Sequence, residues 1–201
     1  MYKSDDKVIL FDGDVCRFKM YEGDVGGEFN WTVEPDGSLK VGHGDVVSTV
    51  EFGDAQIHIE FKNADMPDKE GQAKSNSGVF IHGIYEVQIL DSYGLPHPLR
   101  EDDCGAMYKM YPPLTDACLP PEEWQSYDIF FRAPRFAPDG SQKEPARVTV
   151  MQNGMMIHNN VDLSRATGGG MGSVPTGRGP LLLQDHGDPV SFRNIWLIPI
   201  E

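Results

Sequence analysis

An all-β sandwich is the fold class that this sequence predicts, and three observations predict it. Short runs alternate apolar and polar residues, and none shows helical periodicity behind a cap. Gly 22 and Pro 15 punctuate these runs at close intervals, as expected of many short strands joined by turns. Asn153-Gly154 separates the runs 146–151 and 155–158, the strongest two-residue hairpin signal available. With 201 residues, 39% hydrophobic and 10% aromatic, the chain suffices for one domain, or at most two, around a substantial core.

The elements follow in order. Val8 to Phe11 is a short apolar strand ending at the turn pair Asp12-Gly13. Residues 31–34, the turn Pro35-Asp36-Gly37 and residues 38–41 read as a hairpin. Residues 56–62 alternate strictly, with Ile57, Ile59 and Phe61 inward and His58 on the solvated face. Residues 63–75 are polar and aperiodic, a surface loop. Residues 79–82 and 85–90 are two strands joined by a tight turn at Gly83. A long Pro-containing segment, 92–121, follows; loops of this length in a compact domain usually serve a site, so it is expected to wall a cleft. Within it, Gly105-Ala106-Met107-Tyr108 is a short strand or a loop crossing. Residues 124–132 form another strand, 161–178 are Gly-rich and read as mobile, and 180–187 and 190–197 close the fold. There is no internal repeat and no low-complexity tract.

Charge narrows the partners. Asp plus Glu number 31 against 17 Lys plus Arg, a net charge of −14. Such a surface repels phosphate backbones and anionic lipid, so neither nucleic acid nor membrane is an expected partner, whereas neutral sugars and cationic ligands are compatible. Cys16, Cys104 and Cys118 lack C-x-x-C spacing, which argues against zinc and dithiol motifs and for free thiols; a Cys104–Cys118 bridge is the alternative. The opening Met1-Tyr2-Lys3-Ser4-Asp5-Asp6-Lys7 has no apolar leader and no stretch is long enough to span a bilayer. A cytoplasmic protein is expected as written, and a periplasmic or secreted one if a leader has been trimmed. Asn30-Trp31-Thr32 matches a glycosylation sequon, read as chance.

The chemistry concentrates on the strand after Gly83. Glu86 and Gln88 share one face, and Tyr85, Val87 and Ile89 the other. An acid and an amide on an otherwise apolar strand are costly to bury unpartnered, which points to a wet cleft; an edge strand with a solvated face is the alternative. A bulge after Gln88 would add Asp91 to the row. Leu182 and Gln184 share a face, with His186 in phase, and Arg193 on the returning strand either reaches the same cleft or pairs with Asp185 or Asp188. Such a set of fixed donors and acceptors suits a polyol. Glu86 is the best candidate catalytic carboxylate, flanked by apolar residues, with His82 near it across the turn. His82, His186, Glu86 and Asp91 could hold a divalent metal, although their spacing fits no short ligand motif. Serine-hydrolase, phosphate-loop and dinucleotide signatures are absent.

Several motifs together resemble the 3-keto-disaccharide hydrolase family, long known only as a domain of unknown function. They are Leu10-Phe11-Asp12-Gly13, Asn76-Ser77-Gly78, Tyr85-Glu86-Val87-Gln88-Ile89-Leu90-Asp91, Gly105-Ala106-Met107-Tyr108, Glu123-Trp124-Gln125-Ser126-Tyr127-Asp128, Gly179 through Gly187, and Phe192-Arg193-Asn194-Ile195. The resemblance implies one domain over 1–201, a concanavalin A-like jelly roll of two antiparallel sheets, and a cleft on the concave sheet. Related glucanases carry E-x-D-x-x-E on a bulged strand; here the row would be Glu86, Gln88 and Asp91, with an amide in the middle, which argues against double displacement by two glutamates. The implied activity is hydrolysis of 3-keto-glycosides or disaccharides by elimination across C1–C2 followed by hydration. In that scheme Glu86 or His186 is the base, Asp91 or His82 the acid, and Arg193 or Gln184 stands near the keto oxygen. Gln88, Asn76 and Tyr108 complete the substrate contacts. No cofactor is implied beyond the metal named above. The rivals are a lectin-like carbohydrate-binding module and a structural sandwich that meets a partner through its acidic face.

Overall fold

In the computed structural model, residues 6–21 and 28–200 are described. The first five residues of the opening segment, read above for a leader, lie outside them. Fifteen strands are present among the described residues, and no α-helix. No helix among the described residues is long and apolar enough to cross a membrane.

Two antiparallel sheets form a sandwich, as the sequence predicts. The larger has eight strands. Its path runs β13 (Met155–Leu163), β12 (Ala146–Gln152), β9 (Gln125–Arg132), β6 (Asp54–Asn63), β15 (Val190–Ile200), β4 (Leu39–Lys40), β3 (Thr32–Val33), with β1 (Val8–Phe11) also on β15. The smaller runs β2 (Phe18–Met20), β5 (Val46–Phe52), β14 (Gly179–Leu183), β7 (Ser77–Ile81), β8 (Tyr85–Ile89). A separate ribbon pairs β10 (Arg135–Phe136) with β11 (Gln142–Glu144).

Alternation decides what each strand gives to the core between the sheets. From the larger sheet come Ile57, Ile59 and Phe61 of β6, Tyr127, Ile129 and Phe131 of β9, and Phe192, Ile195 and Leu197 of β15. From the smaller come Val79 and Ile81, Tyr85, Val87 and Ile89, and Leu181 and Leu183. The expected Asn153-Gly154 hairpin joins β12 to β13, with φ of 52° and 78°, the left-handed pair that a two-residue turn between strands needs.

The smaller sheet has a second layer on its outer face. Phe80 and Leu182 pair across β7 and β14 and are fully buried, yet stand apart from the inner core. Of the Gly-rich segment 161–178, read from sequence as mobile, the first three residues end β13 and the remainder crosses this outer layer at Phe80. Met171 N–H donates to the Gly83 carbonyl at 2.8 Å and Thr167 N–H to that of Ile84 at 3.0 Å. Gly170 lies so close that a Cβ there would meet the Gly83 oxygen at 2.2 Å, so only glycine permits this crossing.

The free side of β8 is also covered. Gly105-Ala106-Met107-Tyr108 crosses it as a loop: Gln88 N–H donates to Ala106, Gly105 N–H to Gln88 and Tyr108 N–H to Glu86, at 2.9, 2.9 and 3.2 Å. The strand is therefore no solvated edge. All five of its residues are buried.

Candidate active site

With β8 paired on both sides, Glu86 and Gln88 point away from the core into a cleft of about 280 Å³ on the outer face of the smaller sheet. Gln72, Asn76, Tyr108, Thr167 to Gly169, Gln184 and His186 form the rest of its lining. Each arrives by a local device. Thr167 Oγ1 accepts from Glu86 N–H at 2.9 Å and donates to the Ile84 carbonyl at 3.1 Å, fixing the Gly-rich segment over the turn. Gln184 follows β14 and its N–H donates to Gly78 at 3.0 Å. Asp185 Oδ2 accepts from Gly44 N–H at 2.8 Å and Oδ1 from Gly187 N–H at 2.7 Å, which holds His186 at the exposed rim.

The carboxyl of Glu86 sits over Gly78 and is almost fully buried. Burial, and secondarily the charge of Asp45, push its pKa up to about 8. It is thus mostly protonated at neutral pH, and no hydrogen bond engages its oxygens among the described residues. Gln88 is equally buried. Its Nε2 donates to Gln72 Oε1 at 3.0 Å, while its Oε1 has no partner among the described residues. Asn76 Nδ2 donates to the Gln72 carbonyl at 2.8 Å. The cleft therefore combines a neutral acid, an open buried acceptor, an imidazole and a phenol. Buried acceptors left open are costly; hydroxyls of a ligand would satisfy them.

Six of the nine residues singled out from sequence meet here: Glu86, Gln88, Asn76, Tyr108, Gln184 and His186. Three do not. His82 turns with Gly83 at positive φ, 52° and 70°, which reverses the strand's alternation. Its ring packs in the core against Phe131 and Phe52, with centroids 4.6 and 5.1 Å away, and burial lowers its pKa. Asp91 is not brought round by a bulge, because β8 pairs with β7 in unbroken register. It lies in an adjoining cleft, 2.9 Å from Lys74 Nζ. Arg193 belongs to the other sheet: its Nε donates to Glu60 at 2.5 Å and its guanidinium stands 4.1 Å over Trp124. Neither Asp185 nor Asp188 is its partner. His82, His186, Glu86 and Asp91 thus do not converge on one point, and no cluster of three or more ligating side chains occurs among the described residues. His58 is not simply solvated; its Nδ1–H donates to Asp128 Oδ1 at 2.7 Å, and its ring stacks on Trp196. All three cysteines are free.

The sequence profile of the 3-keto-alpha-glucoside-1,2-lyase-like domain matches residues 6–198. The chain belongs to this family. Within the solved structures, a candidate glycosyl hydrolase from Parabacteroides distasonis ATCC 8503 is 38% identical, with a TM-score of 0.85 over 97% of this chain and 84% of that one. Two more, similarly described and from the same organism, show the shared fold: 21% identity, TM-score 0.69, covering 100% and 99% of the two chains, and 22%, 0.64, covering 96% and 99%. No curated protein matches.

Sequence reasoning missed several parts of this lyase-like domain's cleft. Gln72 lies in an aperiodic loop, and Thr167 opens a run of three glycines whose role depends on where the segment lands. Asp45, which raises Glu86, stands just before β5 and 41 residues away in sequence. The one legible hint was Thr-Gly-Gly-Gly itself, a polar anchor before residues that can approach backbone closely.

Proposed function

We propose that this protein cleaves 3-keto-glycosides by elimination across C1–C2 followed by hydration, with the keto ring seated over Glu86 and Gln88. The observation that carries the proposal is the buried, neutral Glu86 carboxyl beside an open buried acceptor in a polar cleft. The family membership and the 38%-identical candidate glycosyl hydrolase support a carbohydrate substrate.

The cleft's own groups suffice for the proton transfers. His186 takes the C2 proton, acidified by the ketone at C3, and the electron pair passes into an enolate. The enolate collapses to a C1–C2 double bond as the C1–O bond breaks, and Glu86 gives its proton to the departing oxygen. Water then adds at C1, losing a proton to the Glu86 carboxylate, while His186 returns its proton to C2. Both groups end as they began. Gln184 donates to the developing enolate oxygen, and Asn76, Gln88 and Tyr108 hold ring hydroxyls. A lectin-like module fits less well, since among the described residues Tyr108 is the only Phe, Tyr or Trp in the lining, and a raised carboxyl serves no purpose in stacking.

The test is release of a chromogenic aglycone from a 3-keto-glucoside, run in deuterated water. Release with deuterium at C2, and a fall of roughly a hundredfold or more in Glu86→Gln, is expected. No release from the unmodified protein, or release without C2 exchange, overturns the proposal.

A further inference from the structure

Two segments far apart in the chain clasp each other beside the cleft. Gly44 N–H donates to Asp185 Oδ2 and, in return, Asp185 N–H donates to Asp45 Oδ1, both at 2.8 Å. The residues on either side of Asp185 are Gln184 and His186, and both line the cleft with Glu86. The clasp therefore sets where these two side chains start from the backbone.

Asp45 is itself firmly placed. It is 8% exposed, and its carbonyl accepts from Tyr21 N–H at 2.9 Å, which extends the β2–β5 ladder by one step. It lies outside the cleft lining. Burying a carboxylate is costly, and an asparagine would offer Asp185 N–H the same acceptor. What the amide would lack is the charge. That charge reaches Glu86, where after burial it is the second cause that keeps the carboxyl protonated. Tyr108 and His186 are the other ionisable groups of the lining; on the turn stands Asp185, with His43 Nδ1 3.7 Å from its Oδ2.

We infer that Asp45 is a positioning residue for the proposed reaction, setting Gln184 and His186 through the Asp185 turn and acting on Glu86 through its charge. The inference rests on the roles given to those three residues above.

The test compares Asp45→Ala and Asp45→Asn with the unmodified protein. One readout is release of the chromogenic aglycone from a 3-keto-glucoside. The other is carbon-13 NMR of carboxyl-labelled glutamate, with the Glu86 signal assigned from Glu86→Gln. Asp45→Ala removes the acceptor of Asp185 N–H and should lower kcat at least about tenfold with KM within about twofold, the pattern of lost alignment. Asp45→Asn restores the acceptor and should recover most of that loss. It should also move the Glu86 midpoint, and with it the alkaline limb of the rate, from about 8 to lower pH. A merely structural residue would move neither. An Ala variant at full rate, an Asn variant no better than Ala, or a Glu86 midpoint unmoved in the Asn variant overturns the inference while the proposed reaction stands. Should Asp45→Ala fail to fold, the midpoint in Asp45→Asn decides alone. If the unmodified protein releases no aglycone, the proposed reaction falls and this inference with it.

Discussion

Glu86 Oε1 lies 2.6 Å from where a β-carbon on residue 78 would stand, so the absence of a side chain at Gly78 is what seats the Glu86 carboxyl. The same β-carbon would press Phe80 at 2.8 Å. Gly78→Ala should therefore cost about 1–3 kcal/mol by overpacking. A carboxyl displaced by about 1 Å should also lower turnover on the order of a hundredfold. Chemical denaturation and steady-state rates on a 3-keto-glucoside check the two effects, and an unchanged rate would detach Glu86 from the chemistry.

The raised pKa of Glu86 predicts how the rate varies with pH. Its proton leaves as pH rises through about 8, so the limb on which turnover is lost at high pH should have its midpoint there. Glu86→Gln should lack that limb in whatever residual activity it keeps.

Stability carries the same signature with its own sign. Between the unfolded value of 4.5 and about 8 the folded state holds a proton that the unfolded chain has released. Stability from this group is complete below 4.5 and is lost as pH climbs to about 8. Glu86→Gln, which cannot ionise, should gain on the parent at pH 8 to 9 and match it near pH 4. Parallel denaturant midpoints at the two ends of that range would refute this.

His158 contributes with the opposite sign. His158 is buried, burial lowers its pKa, and its Nε2 lies 2.8 Å from the Gly105 carbonyl. Its contribution is present above the ordinary histidine value of 6.5 and fades as pH falls, because the unfolded chain then takes up the proton first. His158→Gln keeps a donor for Gly105 and should flatten the melting-temperature decline below that pH.

The thiols give a check on packing. Cys16 is exposed and Cys104 buried, its Sγ 3.4 Å from Tyr127 Oη. Without reductant, Cys16 should react with a thiol reagent at once and all three cysteines only after denaturation. A denatured count of one would mean a Cys104–Cys118 bridge.

The sandwich was legible because period-two alternation needs no knowledge of neighbours: Ile57, Ile59 and Phe61 point inward whatever pairs with β6. The same rule put Glu86 and Gln88 on one face, and strand phase brought Gln184 and His186 to join them. It failed where phase is interrupted. A positive φ at His82 turned its ring into the core. Asp91 lies beyond the end of β8, where alternation no longer applies. Arg193 failed for another reason: a returning strand can join either sheet, and β15 joins the one opposite β14. Gln72 and Thr167 sit in aperiodic loops, and only the folded path gives them a place.

The hydrogen bonds that close the cleft join residues far apart along the chain: 81 residues from Thr167 to Glu86, 107 from Ser77 to Gln184, 112 from Asn76 to Asp188. Closing such long loops is entropically slow and comes after local pairing. The β12–β13 and β7–β8 hairpins can form early, but the cleft over β8 waits for the chain's last quarter to dock. A fragment ending before Gly179 would lack Gln184 and His186, and with them one wall of the cleft around Glu86.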